Sequence, residues 1–165
     1  MTQKEILLEQ MASCRNQTNW FITSQTAVED LTPGQALQKD ESNNSIMQIV
    51  IHLIFWNELY LSRFNGTNLP PFEGNNKETF EPGSIGNTEL NWDSAKERLD
   101  KVLSDFYDAV KDADEEKLNS QAIQSQPDAW YSYIAQITIH NAYHIGQIVT
   151  IRKQHGNWNP DKGFK

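Results

Sequence analysis

The chain carries four histidines, His52, His140, His144 and His155. His140 and His144 stand four residues apart. On a helix they share a face, one turn apart, with Cβ atoms about 5–6 Å from each other. Two neutral imidazoles placed like this can bind one cation from the same side. The plainer alternatives are two half-exposed histidines, or one core histidine bonded to a carbonyl. A stable transition-metal site needs at least a third ligand. His155 follows His144 by eleven residues on nearly the same helical face, but at 1.5 Å per residue it is about 16 Å away. At a helix C-terminus it is favoured by the macrodipole, which is a structural role. His52 is the better candidate. It lies within IVIHLIFW, beside Ile49, Leu53, Phe55 and Trp56, where an unpartnered imidazole is costly. A core histidine satisfied by a hydrogen bond is its alternative. Three imidazoles leave a fourth coordination position open, as in reactive rather than closed structural sites.

Several other chemistries are excluded. Residues 140–144 read HNAYH, not HExxH, so the general-base glutamate of a zinc protease is missing. No glutamate stands three residues before any histidine, which removes the di-iron pattern of ferritin-like bundles. Neither GxGxxG nor GxxxxGK[ST] occurs. Glu58, six residues past His52, is off its helical face and is a poor general base. The one cysteine, Cys14, rules out an intramolecular disulfide framework and a cysteine-rich zinc site. It suits a reducing compartment and reads as a small buried apolar residue rather than a nucleophile.

These residues must be positioned by helices. The 165 residues, 38% hydrophobic with 5 Trp and 7 Phe, suffice for one domain, residues 1–165, with its own core. A stripe of Leu7, Met11, Cys14, Thr18, Phe21, Gln25 and Val28 predicts a first helix from about Thr2 to Asp30, opened by the capping-box spacing of Thr2 and Glu5 and stopped by Pro33-Gly34. A second, from about Asn44 to Phe64, has Asn43, Asn44 or Ser45 as cap and Gly66 beyond its end. Its apolar residues spread round most of its surface, which predicts deep burial. Residues 65–90, rich in Gly and Pro, exclude a helix. They form either a crossover along the bundle or a loop covering one end of a site. A third helix runs from about Trp92 to Lys111 with Asn91 or Asp93 near its cap. A fourth runs from about Asp128, its expected cap, to His155, with Gly156 as its stop. The seam of the fourth reads Tyr133, Ile137, His140, His144, Gln147 and Ile151, so two histidines and a glutamine take core-facing positions. No strand alternation is long enough for a sheet. The fold class is all-α, a four-helix bundle.

The net charge of −8 and pI of about 4.9, with no Lys/Arg cluster, argue against nucleic acid and anionic membranes as partners. The N-terminus lacks the long apolar stretch of a signal peptide, and no stretch reaches the roughly 18 apolar residues of a membrane span. The expected location is the cytoplasm.

HNAYHIGQIVTIRKQHG, residues 140–156, resembles the signature of the DinB/YfiT-like metalloenzyme superfamily. SIMQIVIHLIFWNELYLSRFNG, residues 45–66, is similar to that family's second helix, and NWDSAKERL, residues 91–99, to the start of its third. The N-terminal helix matches only in character. The resemblance implies an up-down-down-up bundle with a long crossover between the second and third helices. It implies a zinc or nickel ion held by His52, His140 and His144, with water as a further ligand, and a homodimer. It also implies transfer or isomerisation chemistry with a low-molecular-weight thiol (bacillithiol, mycothiol or glutathione) on a small-molecule substrate, or hydrolysis as in some members. The family's name is no warrant for DNA binding. In the same motif, Gly146 suggests close helix approach, and Gln147 either a bond to a ligand histidine or one to a backbone carbonyl. Trp56 and Tyr60 are read as core, with a pocket lining as the alternative.

Overall fold

The computed structural model describes residues 1–40, 44–67, 69–124 and 126–163. Helices dominate. In chain order they are α1 (Gln3–Arg15), α2 (Ser24–Val28), α3 (Pro33–Leu37), α4 (Ile46–Phe64), α5 (Trp92–Asp112), α6 (Glu115–Asn119) and α7 (Trp130–Gln154). Between α6 and α7 a small antiparallel hairpin pairs β1 (Gln121–Ile123) with β2 (Gln126–Ala129). Short 3-10 helices occupy Asn76–Phe80 and Pro82–Ile85.

The expected first helix is two, α1 and α2. Its capping box is present, with Thr2 accepting from the Glu5 amide and Glu5 accepting from the Thr2 amide. The helix ends at Arg15, however, and the chain re-enters helix at Ser24 with Thr23 as cap. The helix breaks at the polar run Asn16, Gln17, Thr18 and Asn19, where Asn and Thr are weak helix formers, without Gly or Pro. Accordingly Leu7, Cys14 and Val28 are buried while Thr18 and Gln25 are exposed. Pro33 does not stop a helix either: it opens α3 just after the cap Thr32, whose side chain and that of Gln35 form a second capping box.

The α4 and α5 boundaries follow their caps. Ser45 opens α4 in a capping box with Gln48, and Gly66, at φ +89°, lies just past its end. Asn43 lies outside the described residues. Asn91 caps α5 by accepting from the Ser94 amide. Asp128 does not cap α7: the cap position is Ala129, with no side-chain bond, and the Trp130 amide donates to the Ser120 carbonyl instead. Ser120, between α6 and β1, thus supplies the acceptor for the start of α7, and the hairpin itself is absent from the sequence-based expectation.

Helix α4 packs against α5 and α7, and α1 packs against the same two. One apolar cluster centres on Ile46, Val50, Ile54, Leu99 and Ile148, and a second on Phe64, Phe106, Trp130 and Ile134. Bidentate ion pairs tie α1 to α5 (Arg15–Asp100) and α4 to α5 (Glu58–Arg98). The latter holds Glu58 away from the histidines. No helix among the described residues is long and apolar enough to cross a membrane.

Candidate metal centre

His52 sits in the middle of α4, and His140 and His144 on the facing side of α7. His52 and His144 are buried and His140 is half-buried. The Nε2 atom of His140 lies 3.0 Å from Nε2 of His52 and 3.1 Å from Nε2 of His144. The ligand atoms of the three residues all fall within 4.8 Å of one another, so the group could hold a metal ion. Tetrahedral zinc–imidazole bonds of about 2.0–2.1 Å place ligand nitrogens about 3.3 Å apart, close to the separations here.

The outward nitrogens determine what faces inward. Thr79 donates its hydroxyl hydrogen to the Asn76 carbonyl (2.6 Å), so its oxygen accepts from Nδ1–H of His52 (2.6 Å). His52 therefore presents a lone pair at Nε2. Gln147 donates its amide nitrogen to the Tyr143 hydroxyl (3.1 Å), and its carbonyl oxygen accepts from Nδ1–H of His144 (2.6 Å). His144 likewise presents a lone pair at Nε2. Nδ1 of His140 is buried without a partner among the described residues. If His140 carries its proton on Nε2, it can satisfy only one of the two neighbours. If it carries the proton on Nδ1, three lone pairs converge on one point. Either way the protein alone leaves buried nitrogen unsatisfied, at a cost. One cation would satisfy all three, so the donor set fits a divalent metal.

Electrostatics keep the donors in that form. Burial, then the neighbouring His144 and His140, pushes the His52 pKa down to about 3. Burial and His144 push His140 down to about 4. Burial lowers His144 too, with the Gln147 bond opposing it. All three rings are neutral at pH 7, as ligation requires.

The 65–90 segment closes one side. Phe80 stacks on the His52 ring at 3.9 Å with planes 9° apart, and Thr79 and Phe80 come from the same short 3-10 helix. Of the two readings of this segment, the covering loop is the one the contacts support. Beyond the histidines opens a cavity of about 560 Å³. Its walls include Trp56, Tyr60, Tyr133, Phe80 and Tyr143, and no carboxylate among the described residues. Trp56 and Tyr60 thus line the cavity, against the expectation of plain core.

Other expectations are resolved as well. Gln147 bonds a histidine, not a backbone carbonyl. Gly146 is exposed and a Cβ there would meet nothing, so close helix approach is not its reason, and the structure gives no other. His155 ends α7, apart from the triad. Cys14 is buried, its Sγ donates to the Thr138 carbonyl (3.4 Å), and burial pushes its pKa up to about 12, which removes it as a nucleophile. Thr79 was not foreseen: it lies 27 residues from His52 in a Gly/Pro-rich segment, and no spacing rule links the two.

The family model of the DinB superfamily matches residues 22–148, well over half of the sequence. The chain belongs to the DinB superfamily. The match spans α4, α5 and most of α7, and so includes all three histidines of the cluster, while α1 lies outside it. No curated protein matches this DinB-superfamily chain, and no solved structure does.

Proposed function

We propose that the protein is a metal-dependent transferase that joins a small thiol cofactor, of the bacillithiol, mycothiol or glutathione type, to a small electrophile. In this reading His52, His140 and His144 hold one divalent ion, zinc or nickel. The observation that carries the reading is the convergence of Nε2 lone pairs, two of them fixed by the bonds from His52 to Thr79 and from His144 to Gln147, at the wall of an open cavity. An ion held there would lower the pKa of a thiol in its open position, so that a thiolate persists at neutral pH. The sulfur then bonds to carbon, the leaving group departs with its electron pair, and the thiol proton goes to water. The residues of the chain hold the donors, exclude water with Phe80 and Trp56, and orient the reactants. The cavity's volume falls in the usual range for small-molecule sites.

Hydrolysis by metal-activated water is the second reading. It calls for a general base, and no carboxylate among the described residues lines the cavity, which is why the thiol reading stands first. A non-catalytic metal- or ligand-binding bundle is the third. The proposal also takes in one domain over residues 1–165, the up-down-down-up four-helix topology with its crossover through 65–90, a cytoplasmic location and a homodimer. Such a dimer would cover exposed apolar side chains such as Ile139 and Ile6.

The test is a thiol-conjugation assay. Metal-loaded protein, a panel of small thiols and a chromogenic aryl halide are expected to react above the buffer rate. His144→Ala is expected to abolish the excess. Full metal occupancy with no excess rate for any thiol would leave the non-catalytic reading.

A further inference from the structure

The metal-site cavity does not end at its aromatic wall. Trp56, Tyr60, Tyr133 and Gln136 also line a second chamber of about 770 Å³, so the two adjoin at these four residues. The second chamber contains one basic residue, Arg63.

The four arginines of the chain are not used alike. Arg15 and Arg98 are saturated by bidentate bonds to Asp100 and Glu58. Arg152 is buried and donates to the carbonyls of Ala27, Glu29 and Asn157. Arg63 is half-buried and lies over the Tyr60 ring, its Cζ 5.6 Å from the centroid. It donates from Nη2 to the Pro70 carbonyl (3.0 Å). Its Nε and Nη1 have no hydrogen-bond partner among the described residues, and no carboxylate pairs with it. The guanidinium is therefore held at two points with donors left facing the chamber. Asp128, exposed at the rim, is the other charged residue lining the chamber, and no ion pair joins the two.

Helix α4 sets the distance. His52 and Arg63 are eleven residues apart, hence within about 20° of the same face and about 16 Å along the axis. Both side chains lean toward the helix N-terminus, the longer Arg63 further, so this offset is an upper bound at their tips. Allowing about 2 Å for a metal–ligand bond and about 3 Å for a guanidinium–oxygen hydrogen bond leaves up to about 11 Å for the ligand. We propose that the second chamber binds the far end of an elongated ligand, with Arg63 receiving a single carboxylate up to about 11 Å from the donor atom at the histidines. The aromatic waist accommodates an apolar spacer. One cation facing a rim aspartate suits a monoanion and disfavours a polyanion such as a phosphate ester. This inference rests on the proposal that the histidines hold a metal which accepts a ligand.

The test uses cobalt-loaded protein and reads the thiolate-to-cobalt charge-transfer band. The probes are 8-mercaptooctanoate and its neutral analogue 8-mercaptooctanol, which share a length near the upper end of that span. The carboxylate is expected to bind at least about 10-fold tighter than the alcohol, a preference reduced to within about 2-fold in Arg63→Gln and partly kept in Arg63→Lys. Equal affinity of the two probes for the wild-type protein overturns the inference and leaves the metal reading intact. This comparison needs no variant, so a poorly folding Arg63→Gln does not remove it. A missing charge-transfer band with both thiols defeats the thiol-on-metal reading instead. The carboxylate site is then judged by thermal shift with octanoate against octanol. A shift specific to octanoate and lost in Arg63→Gln supports the site, and the absence of one overturns it.

Discussion

Two buried polar layers cross the α4–α7 interface side by side, and they are built on opposite principles. In the first, Asn57 donates to the Asn141 carbonyl oxygen (2.8 Å) and to the Leu53 carbonyl (2.8 Å), while Asn141 donates back to Asn57 (3.0 Å). Every strong bond stays within the protein, and both residues are buried. In the second, one residue earlier on α7 and one turn further along, His52 and His144 spend their outward nitrogens on Thr79 and Gln147 and turn lone pairs toward His140. A closed layer fixes how two helices sit against each other. An open layer, with oriented lone pairs that the protein's own groups satisfy only in part, is arranged for something else.

The sharpest way to break this comparison is to truncate one member of each layer in metal-free protein. Asn141→Ala leaves the Asn57 Oδ1 and one of its N–H groups without a partner in the core and is expected to cost about 2–3 kcal/mol. His140→Ala removes a half-buried ring whose Nδ1 has no partner, and is expected to cost less than about 1 kcal/mol. Urea denaturation at pH 7 measures both. Equal costs would make the histidine layer as structural as the asparagine layer.

A smaller effect sharpens the contrast from the loop side. Thr79→Val keeps the shape of the residue but removes the acceptor that sets the His52 tautomer. Metal affinity, followed by competition with a chromophoric chelator, is expected to fall about 10-fold or somewhat more, and folding stability by about 1–2 kcal/mol because the buried His52 N–H loses its acceptor. Unchanged affinity would mean that Thr79 does not orient the ring.

The difference between the layers also explains what could be read from the sequence. The i, i+4 spacing of His140 and His144 is a helical property, and His52 stands out because an imidazole is costly in IVIHLIFW, so the triad is legible. The Asn57–Asn141 pair is not. Asparagine is common at caps and in loops, and only tertiary packing pairs these two. Thr79 and Phe80 escape for the same reason: a 3-10 helix in a Gly/Pro-rich segment has no periodicity that points at His52. Helices α4, α5 and α7 carry recognisable caps or stops, such as Ser45, Asn91 and Gly156, together with sustained apolar faces. The stripe extended through Thr18 and Gln25 fails because burial spacing does not by itself guarantee continuous backbone. The weak helix formers Asn16, Thr18 and Asn19 end α1 early. The hairpin has too few residues for an alternating pattern to show.

The central claim is that the inward nitrogens of His52, His140 and His144 are metal ligands. The most direct measurement is the metal content of untagged protein, set beside that of His52→Ala, His140→Ala and His144→Ala. One divalent ion per chain is expected in the wild-type protein, and loss of that ion in each variant that retains its fold. Metal-free wild-type protein that takes up none on titration, or variants that keep full occupancy, would contradict it.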